Sequence, residues 1–311
     1  MQILFGAEIE RARKLWLMDA LLETVGNADI TELDAELAKI APPEARRLLA
    51  TKGLRGELAF ATPSILRANP RLLGYYRLLL GLSQKEFFGN GTGLSGFKSM
   101  ETSGKLTMPA ESRLDDLCAS LAFSCARLVT SLNPDWISKA FLHDLTILTF
   151  GPQLRGGANN RRGQAAIGAV FELIREIVSG KSPEVGGTSI RVSNAAGRQV
   201  RIEFAADPDI VILEEMGGER VRKSLAIEIK GGSDISNIHN RLGEAEKSHR
   251  NAKQDGYSEC WTVVNVDGFD PVFARQESPT TDHFFELLKL VSRSGDHYCH
   301  FRDQIASVIG I

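Results

Sequence analysis

Between Arg201 and Lys230 the chain reads Asp207-Pro208-Asp209, then Ile210-Val211-Ile212-Leu213, a polar break around Gly217-Gly218, and Leu225-Ala226-Ile227-Glu228-Ile229-Lys230. Two short apolar runs on either side of a glycine break predict a strand, a turn and a second strand. Side chains alternate along a strand, so Glu228 and Lys230 share one face while Ile227 and Ile229 take the other. With Asp209 at the start of the neighbouring strand, two carboxylates and an ammonium gather on one face. Such a cluster is costly unless a divalent cation or a phosphate shares it. The stretch is thus a candidate metal-dependent phosphodiesterase site, and an ordinary surface strand with a Glu–Lys pair is the plainer alternative. Framing by Ile and Ala, and the Gly231-Gly232 pair directly after Lys230, favour the site.

The rest of the chain bounds what that site can belong to. At 311 residues, 43% hydrophobic and 24% charged, there is material for one large domain or two smaller ones. No apolar run approaches the roughly 20 residues of a membrane span. Met1 to Leu22 is amphipathic and carries Glu8, Glu10, Arg11, Arg13 and Lys14, unlike a signal peptide. Cys118, Cys125, Cys260 and Cys299 lack metal-ligand spacing and read as free thiols, so a cytoplasmic location without membrane attachment is expected. A net charge of -2 excludes a polycation that coats nucleic acid indiscriminately, but not local phosphate-binding patches. Two stretches qualify: 151–171, with Arg155, Arg161 and Arg162 and no acid before Glu172, and 239–253, with Arg241, Lys247, Arg250 and Lys253.

Helical spacing is expected over Ile9–Val25, Thr31–Ile40 (Thr31 with Asp34 near a capping pattern), Glu44–Leu54, Leu72–Phe88 and Leu114–Leu132, with a Gly- and Ser-rich loop at 89–107. After Gly151, Gly156 and Gly157 the character changes: a helix over Gly163–Val178, strands at Ser189–Val192, Gln199–Phe204, Ile210–Leu213 and Leu225–Lys230, a polar helix over Ser236–Lys253, a strand at Trp261–Val266, and two helices starting near Thr281 and Tyr298. This order predicts an α/β (α+β) fold with a mixed central sheet flanked by helices, over 151–311, behind a helical region over 1–150.

Within this frame Asp209 and Glu228, with the Ile229 carbonyl, are candidate Mg²⁺ ligands, and Lys230 can hold a water or steady charge on a phosphate. Glu172, on the helix preceding the sheet, is a candidate further ligand or a solvated helical Glu. The run from Ser233 to His249 is too polar for a core helix; Asn237, His239, Asn240, Arg241 and Lys247 are candidate base-reading or phosphate-holding tips, as are Arg161 and Arg162. Gly91-Thr92-Gly93-Leu94-Ser95-Gly96 matches a dinucleotide-binding glycine pattern but follows no strand and reads as a loop. His297, Cys299 and His300 have no partner pair for a zinc site.

Pro208-Asp209 with Glu228-x-Lys230 resembles the PD-(D/E)xK nucleases. Three longer segments make the chain similar to type II restriction endonucleases of the XcyI group. They are Leu73-Gly74-Tyr75-Tyr76-Arg77-Leu78-Leu79-Leu80-Gly81 with Gln84-Lys85-Glu86-Phe87, Gly151-Pro152-Gln153-Leu154-Arg155-Gly156-Gly157-Ala158-Asn159-Asn160, and Ile229-Lys230-Gly231-Gly232 through His239-Asn240-Arg241-Leu242-Gly243-Glu244-Ala245-Glu246-Lys247-Ser248-His249. The resemblance implies a restriction-endonuclease-like core and Mg²⁺-dependent cleavage of double-stranded DNA at a short palindrome, with 5'-phosphate ends and a GC-rich site like CCCGGG. Carried over by position, Asp209, Glu228 and Lys230 are catalytic and Glu172 matches a helix acid of several such enzymes. Some restriction enzymes place an active-site acid on the following helix, where Glu244 and Glu246 lie.

Cutting both strands of a palindrome needs two equivalent sites, so a homodimer follows geometrically, with the helical region as DNA clamp or dimerisation surface. A cognate DNA methyltransferase is expected in the same system, not as a stable subunit. The competing expectations are a repair or structure-specific nuclease on the same core and a non-enzymatic DNA-binding protein on the same fold.

Overall fold

The computed structural model describes residues 2–268 and 270–311. The chain forms two compact units, dividing between Gly156 and Gly157. The first unit is helical, around a core that includes Leu21, Leu33, Phe60, Tyr75, Tyr76, Phe97 and Leu121. Several expected helices are broken into shorter ones. Ile9–Val25 resolves into Gln2–Leu15 and Met18–Gly26. The third helix, Ile30–Ile40, is capped by Asp29 instead of Thr31, the carboxylate accepting from Thr31 N at 2.8 Å. Leu72–Phe88 splits into Leu73–Leu79 and Gln84–Phe88, the latter opened by a capping box at Ser83 and Glu86. The expected loop at 89–107 contains a helix, Lys98–Ser103.

That last difference has a physical cause. Glu101 in Lys98–Ser103 meets Arg77, whose Nε and Nη2 donate to its two carboxylate oxygens at 2.8 and 2.7 Å, with Arg77 fully buried. Arg77 Nη2 also donates to Gln153 Oε1 at 2.8 Å. Tyr75 and Tyr76 donate their hydroxyls to the Leu58 and Glu57 carbonyls, each at 2.8 Å. The tyrosines and Arg77 of the first resemblance segment are therefore buried polar scaffold, with the half-buried Gln153 of the second completing the pairing of Arg77, since a buried ion must be fully paired.

The glycines at 151, 156 and 157 do not end a helix: one 40-residue helix runs Lys139–Val178 through Pro152. Pro152 forfeits one intrahelical bond but keeps a helical φ. Phe150 packs in the core of the first unit, and Val170, Phe171 and Ile174 in that of the second.

The second unit holds one seven-stranded mixed sheet in simple sequence order. The strands are β1 (Glu184–Val185), β2 (Ser189–Ser193), β3 (Gln199–Phe204), β4 (Ile210–Glu215), β5 (Val221–Lys230), β6 (Glu259–Val264) and β7 (His283–Glu286). β1 to β5 are antiparallel, and β5, β6 and β7 run parallel. Parallel neighbours need crossovers, and these are the helices Ile238–Gln254 and Pro271–Glu277. The helix expected near Thr281 is instead β7, followed by the short helix Leu287–Val291 and the C-terminal helix Gly295–Ile309. The His283-Phe284-Phe285-Glu286 run extends the parallel edge beside β6.

Alternation decides what each sheet face carries. Ile210, Ile212, Leu225, Ile227, Ile229, Trp261 and Phe285 point to one face and pack with Val170 and Ile174 and with Phe301 and Ile305. Each such aliphatic side chain contributes about 1.5–3 kcal/mol on burial. On the other face Ala226 and Cys260 meet Ala252, and Val264 meets Leu242, so the helix Ile238–Gln254 lies there. Among the described residues, no helix is long and apolar enough to cross a membrane, and the cysteines are free.

Candidate active site

β4 and β5 pair with Ile210 opposite Ile227, so one step further Asp209 stands opposite Glu228. Asp209 Oδ2 accepts the Ile229 N–H at 2.7 Å, which fixes the acid of β4 against the end of β5. On the same face Lys230 Nζ lies 2.9 Å from Glu228 Oε1 and 3.3 Å from Glu244 Oε2. Ser248 Oγ lies 3.0 Å from Glu228 Oε2 and also bonds Asp207 Oδ1. The crossover helix supplies Glu244 and Ser248, one turn apart: Ser248 is buried, and the largely exposed Glu244 reaches Lys230.

Two glycines let the strand end and its surroundings close up. A Cβ on Gly231 would stand 2.8 Å from Gly163 Cα and 3.0 Å from the Arg162 carbonyl oxygen, so the Arg161–Gly163 turn of the long helix lies against the residue after Lys230. A Cβ on Gly232 would stand 2.4 Å from Arg241 Nη2. Arg241 instead fills that space and donates through Nη1 to the Gly232 carbonyl at 2.7 Å and the Asp234 carbonyl at 3.0 Å.

The profile of the XcyI restriction endonuclease family matches residues 6–311. The chain belongs to that family. It is 53% identical to the type II restriction enzyme XcyI of Xanthomonas campestris pv. cyanopsidis, over 100% of this chain and 94% of that one. It is 49% identical to the type II restriction enzyme Cfr9I of Citrobacter freundii, with the same shares covered. The resemblance drawn from the sequence is borne out.

In this XcyI-family chain the electrostatics of the site are uneven. Burial, and then the adjacent Glu228 carboxylate, push Asp209 up from 3.8 to about 6, against the Ile229 N–H and Lys230. For Lys230 burial pulls the other way, yet Glu228 and Glu244 hold it above the ordinary lysine value, so it is an ammonium at neutral pH. Glu228 and Glu244 contact that ammonium, and Asp209, with Asp207 beside it, adds to a surplus of negative charge. Hard oxygen donors with such a surplus fit a divalent cation such as Mg²⁺, which takes one or two carboxylates and keeps several waters. No group of three or more His, Cys, Asp or Glu side chains stands ready for a metal among the described residues; a two-carboxylate site with a backbone carbonyl needs no such group.

The other expected site residues sort into three sets. Glu172 is not brought to the cluster: its helix packs on the opposite sheet face, and it pairs with Arg175 one turn on. Glu246 also points elsewhere. Burial opposes its charge, but the Thr280 N–H and hydroxyl, Arg250 and Ser278 hold it below the usual carboxylate range. Arg241 is spent on the loop carbonyls, His239 pairs with Glu277 at 2.8 Å, and Asn237 donates to Asp234 at 3.3 Å. The side chains of Asn240, Lys247, Arg161 and Arg162 are exposed and make no hydrogen bond or ion pair among the described residues.

Ser248 and Asp207, neither of them an expected site residue, join the cluster as well. A signal existed: Arg241, Glu244 and Ser248 recur at helical spacing, which places them on one face of the helix after Lys230. His249, part of the polar run, is buried with its Nε2 2.8 Å from Thr262 Oγ1, and burial pushes it down to about 4, so it is a neutral structural group.

Proposed function

We propose that this chain is a type II site-specific deoxyribonuclease that hydrolyses phosphodiester bonds of double-stranded DNA. The observation that carries the reading is the convergence of Asp209, Glu228 and Lys230 on one sheet face at the end of β4 and β5. The relatives named above, both described as type II restriction enzymes, point the same way. The substrate is a short palindrome, GC-rich in the manner of CCCGGG, the required cation is Mg²⁺, and the products carry 5'-phosphates. Two copies act as a homodimer on the two strands, in a cytoplasm where a separate methyltransferase protects the host site. The first, helical unit supplies the DNA clamp or the dimer surface.

Asp209, Glu228 and the Ile229 carbonyl would hold the cation. When bound, it polarises the scissile phosphate and lowers the pKa of its water. Lys230, kept protonated between Glu228 and Glu244, donates hydrogen bonds to the water or to the phosphate oxygen where charge develops. Asp209 accepts the Ile229 N–H through Oδ2, and its Oδ1 makes no hydrogen bond among the described residues. The Arg161–Arg162 turn beside Gly231, with Asn240 and Lys247, offers unpaired tips to the duplex backbone.

Digestion of plasmid DNA with Mg²⁺, followed by sequencing of the fragment ends, tests the reading and yields site and stagger together. Discrete bands, lost with EDTA or in Lys230→Ala, are expected. A smear, or cutting confined to branched or damaged DNA, would sink it, and metal-independent binding without cleavage would point to a non-enzymatic protein.

A further inference from the structure

Glu228 is held at both ends of its carboxylate. Oε1 sits 2.9 Å from Lys230 Nζ, and Oε2 sits 3.0 Å from Ser248 Oγ. Ser248 is itself buried, at 5% exposure, and its hydroxyl also reaches Asp207 Oδ1 from the turn before β4. That hydroxyl has a single proton, which it donates to one of the two acids at a time, so it couples an acid of the Pro-Asp turn to the acid of β5. A buried hydroxyl that met no polar partner would be destabilising, so this placement is specific.

We infer that Ser248 is a positioning residue that orients Glu228 for the divalent cation, resting on the metal-dependent reading above. Without its tie at Oε2, nothing opposes the pull of Lys230. The Glu228 carboxylate then turns both oxygens towards that ammonium and away from Asp209. A cation must compete with Lys230 for the acid, so the site binds it more weakly although no ligand has been removed. Ser248 touches neither substrate nor reacting atoms in this scheme; it acts through Glu228. Groups that orient a metal-binding carboxylate in this way are worth 10–100-fold in metal affinity or activity.

The test uses the full-length protein and the variants Ser248→Ala and Ser248→Thr. Mn²⁺ binding by titration calorimetry and the Mg²⁺ dependence of plasmid cleavage are measured side by side. Ser248→Ala should raise the half-saturating concentration of both cations by about 10–100-fold, with the cleavage rate at saturating Mg²⁺ and the thermal midpoint little changed. Ser248→Thr, which keeps the hydroxyl, should restore most of the affinity. Unchanged cation affinity in Ser248→Ala overturns the inference, as does a loss of rate at every Mg²⁺ concentration with wild-type Mn²⁺ binding. A wild type that binds Mn²⁺ and cuts no DNA would sink the nuclease reading while leaving the Mn²⁺ comparison to decide on Ser248.

Discussion

Asp209 accepts the backbone N–H of Ile229 at 2.7 Å, so the acid of β4 is anchored by the residue that separates the acid and the lysine of β5. One hydrogen bond thereby sets the distance between the two halves of the candidate site. It also leaves Asp209 beside Glu228 with insufficient positive charge to compensate both.

That imbalance gives a pH dependence. Asp209 is raised from 3.8 to about 6 by burial first and by Glu228 second, so the folded protein holds this proton more tightly than the unfolded chain. Its stabilising contribution is complete below the ordinary value of 3.8 and is lost as the pH rises through about 6. In EDTA, the thermal midpoint of wild type should therefore fall relative to that of Asp209→Asn across this window. A constant difference between the two proteins from acid to neutral pH would contradict the assignment.

Lys230→Ala removes the ammonium paired with Glu228 and Glu244, and cleavage should fall by about 100- to 1,000-fold, the range for loss of a group that stabilises transition-state charge. DNA affinity measured with Ca²⁺ in place of Mg²⁺ should remain near wild type. A variant that keeps its rate would remove Lys230 from the chemistry.

Gly232 and Arg241 should behave as one unit. Gly232→Ala places a methyl where the guanidinium lies, and Arg241→Ala removes the guanidinium itself. Each should destabilise by about 1–3 kcal/mol through loss of charged hydrogen bonds to carbonyls. The double variant should be no worse than either alone in denaturant unfolding, and additive losses would show the contact to be incidental.

Arg161 and Arg162 are exposed and unpaired among the described residues, next to the Gly231 end of β5. If each meets a phosphate, each alanine variant should lower the slope of log affinity against log salt by about 0.9. Unchanged slopes from binding titrations across salt concentrations would place the DNA elsewhere.

Glu101→Ala leaves the buried Arg77 guanidinium without its carboxylate. The first unit should lose about 3–5 kcal/mol, read by chemical denaturation. A loss below 1 kcal/mol, on the order of an exposed pair, would show that water reaches Arg77.

Much of the catalytic strand pair was legible in the linear order of residues. The alternation in Leu225–Lys230 is a two-residue period, and it separates Glu228 and Lys230 from Ile227 and Ile229 whatever else the chain does. Pro208-Asp209 ahead of an apolar run placed the second acid at a strand start. Arg77, Gln153 and the tyrosine pair were visible as a motif, but their role was not. A buried ion pair and an exposed DNA contact use the same residue types, and only burial distinguishes them.

What the sequence alone determined is local: the periods that make β2 to β6 and the crossover helix, and the membership of the restriction endonuclease family that those segments signal. What tertiary structure decided is which polar side chains share a space. Glu172 is kept away from the cluster by its place on the long helix across the sheet. Glu246 faces away from the cluster and Glu244 joins it because a helix presents a new direction every residue, and the roll of the crossover helix against the sheet is set by Leu242 and Ala252 packing on β5 and β6. Arg241 closes on Gly232, and Ser248 on Glu228, for the same reason. Those contacts depend on three-dimensional packing between segments distant in the chain, to which spacing along one segment is blind.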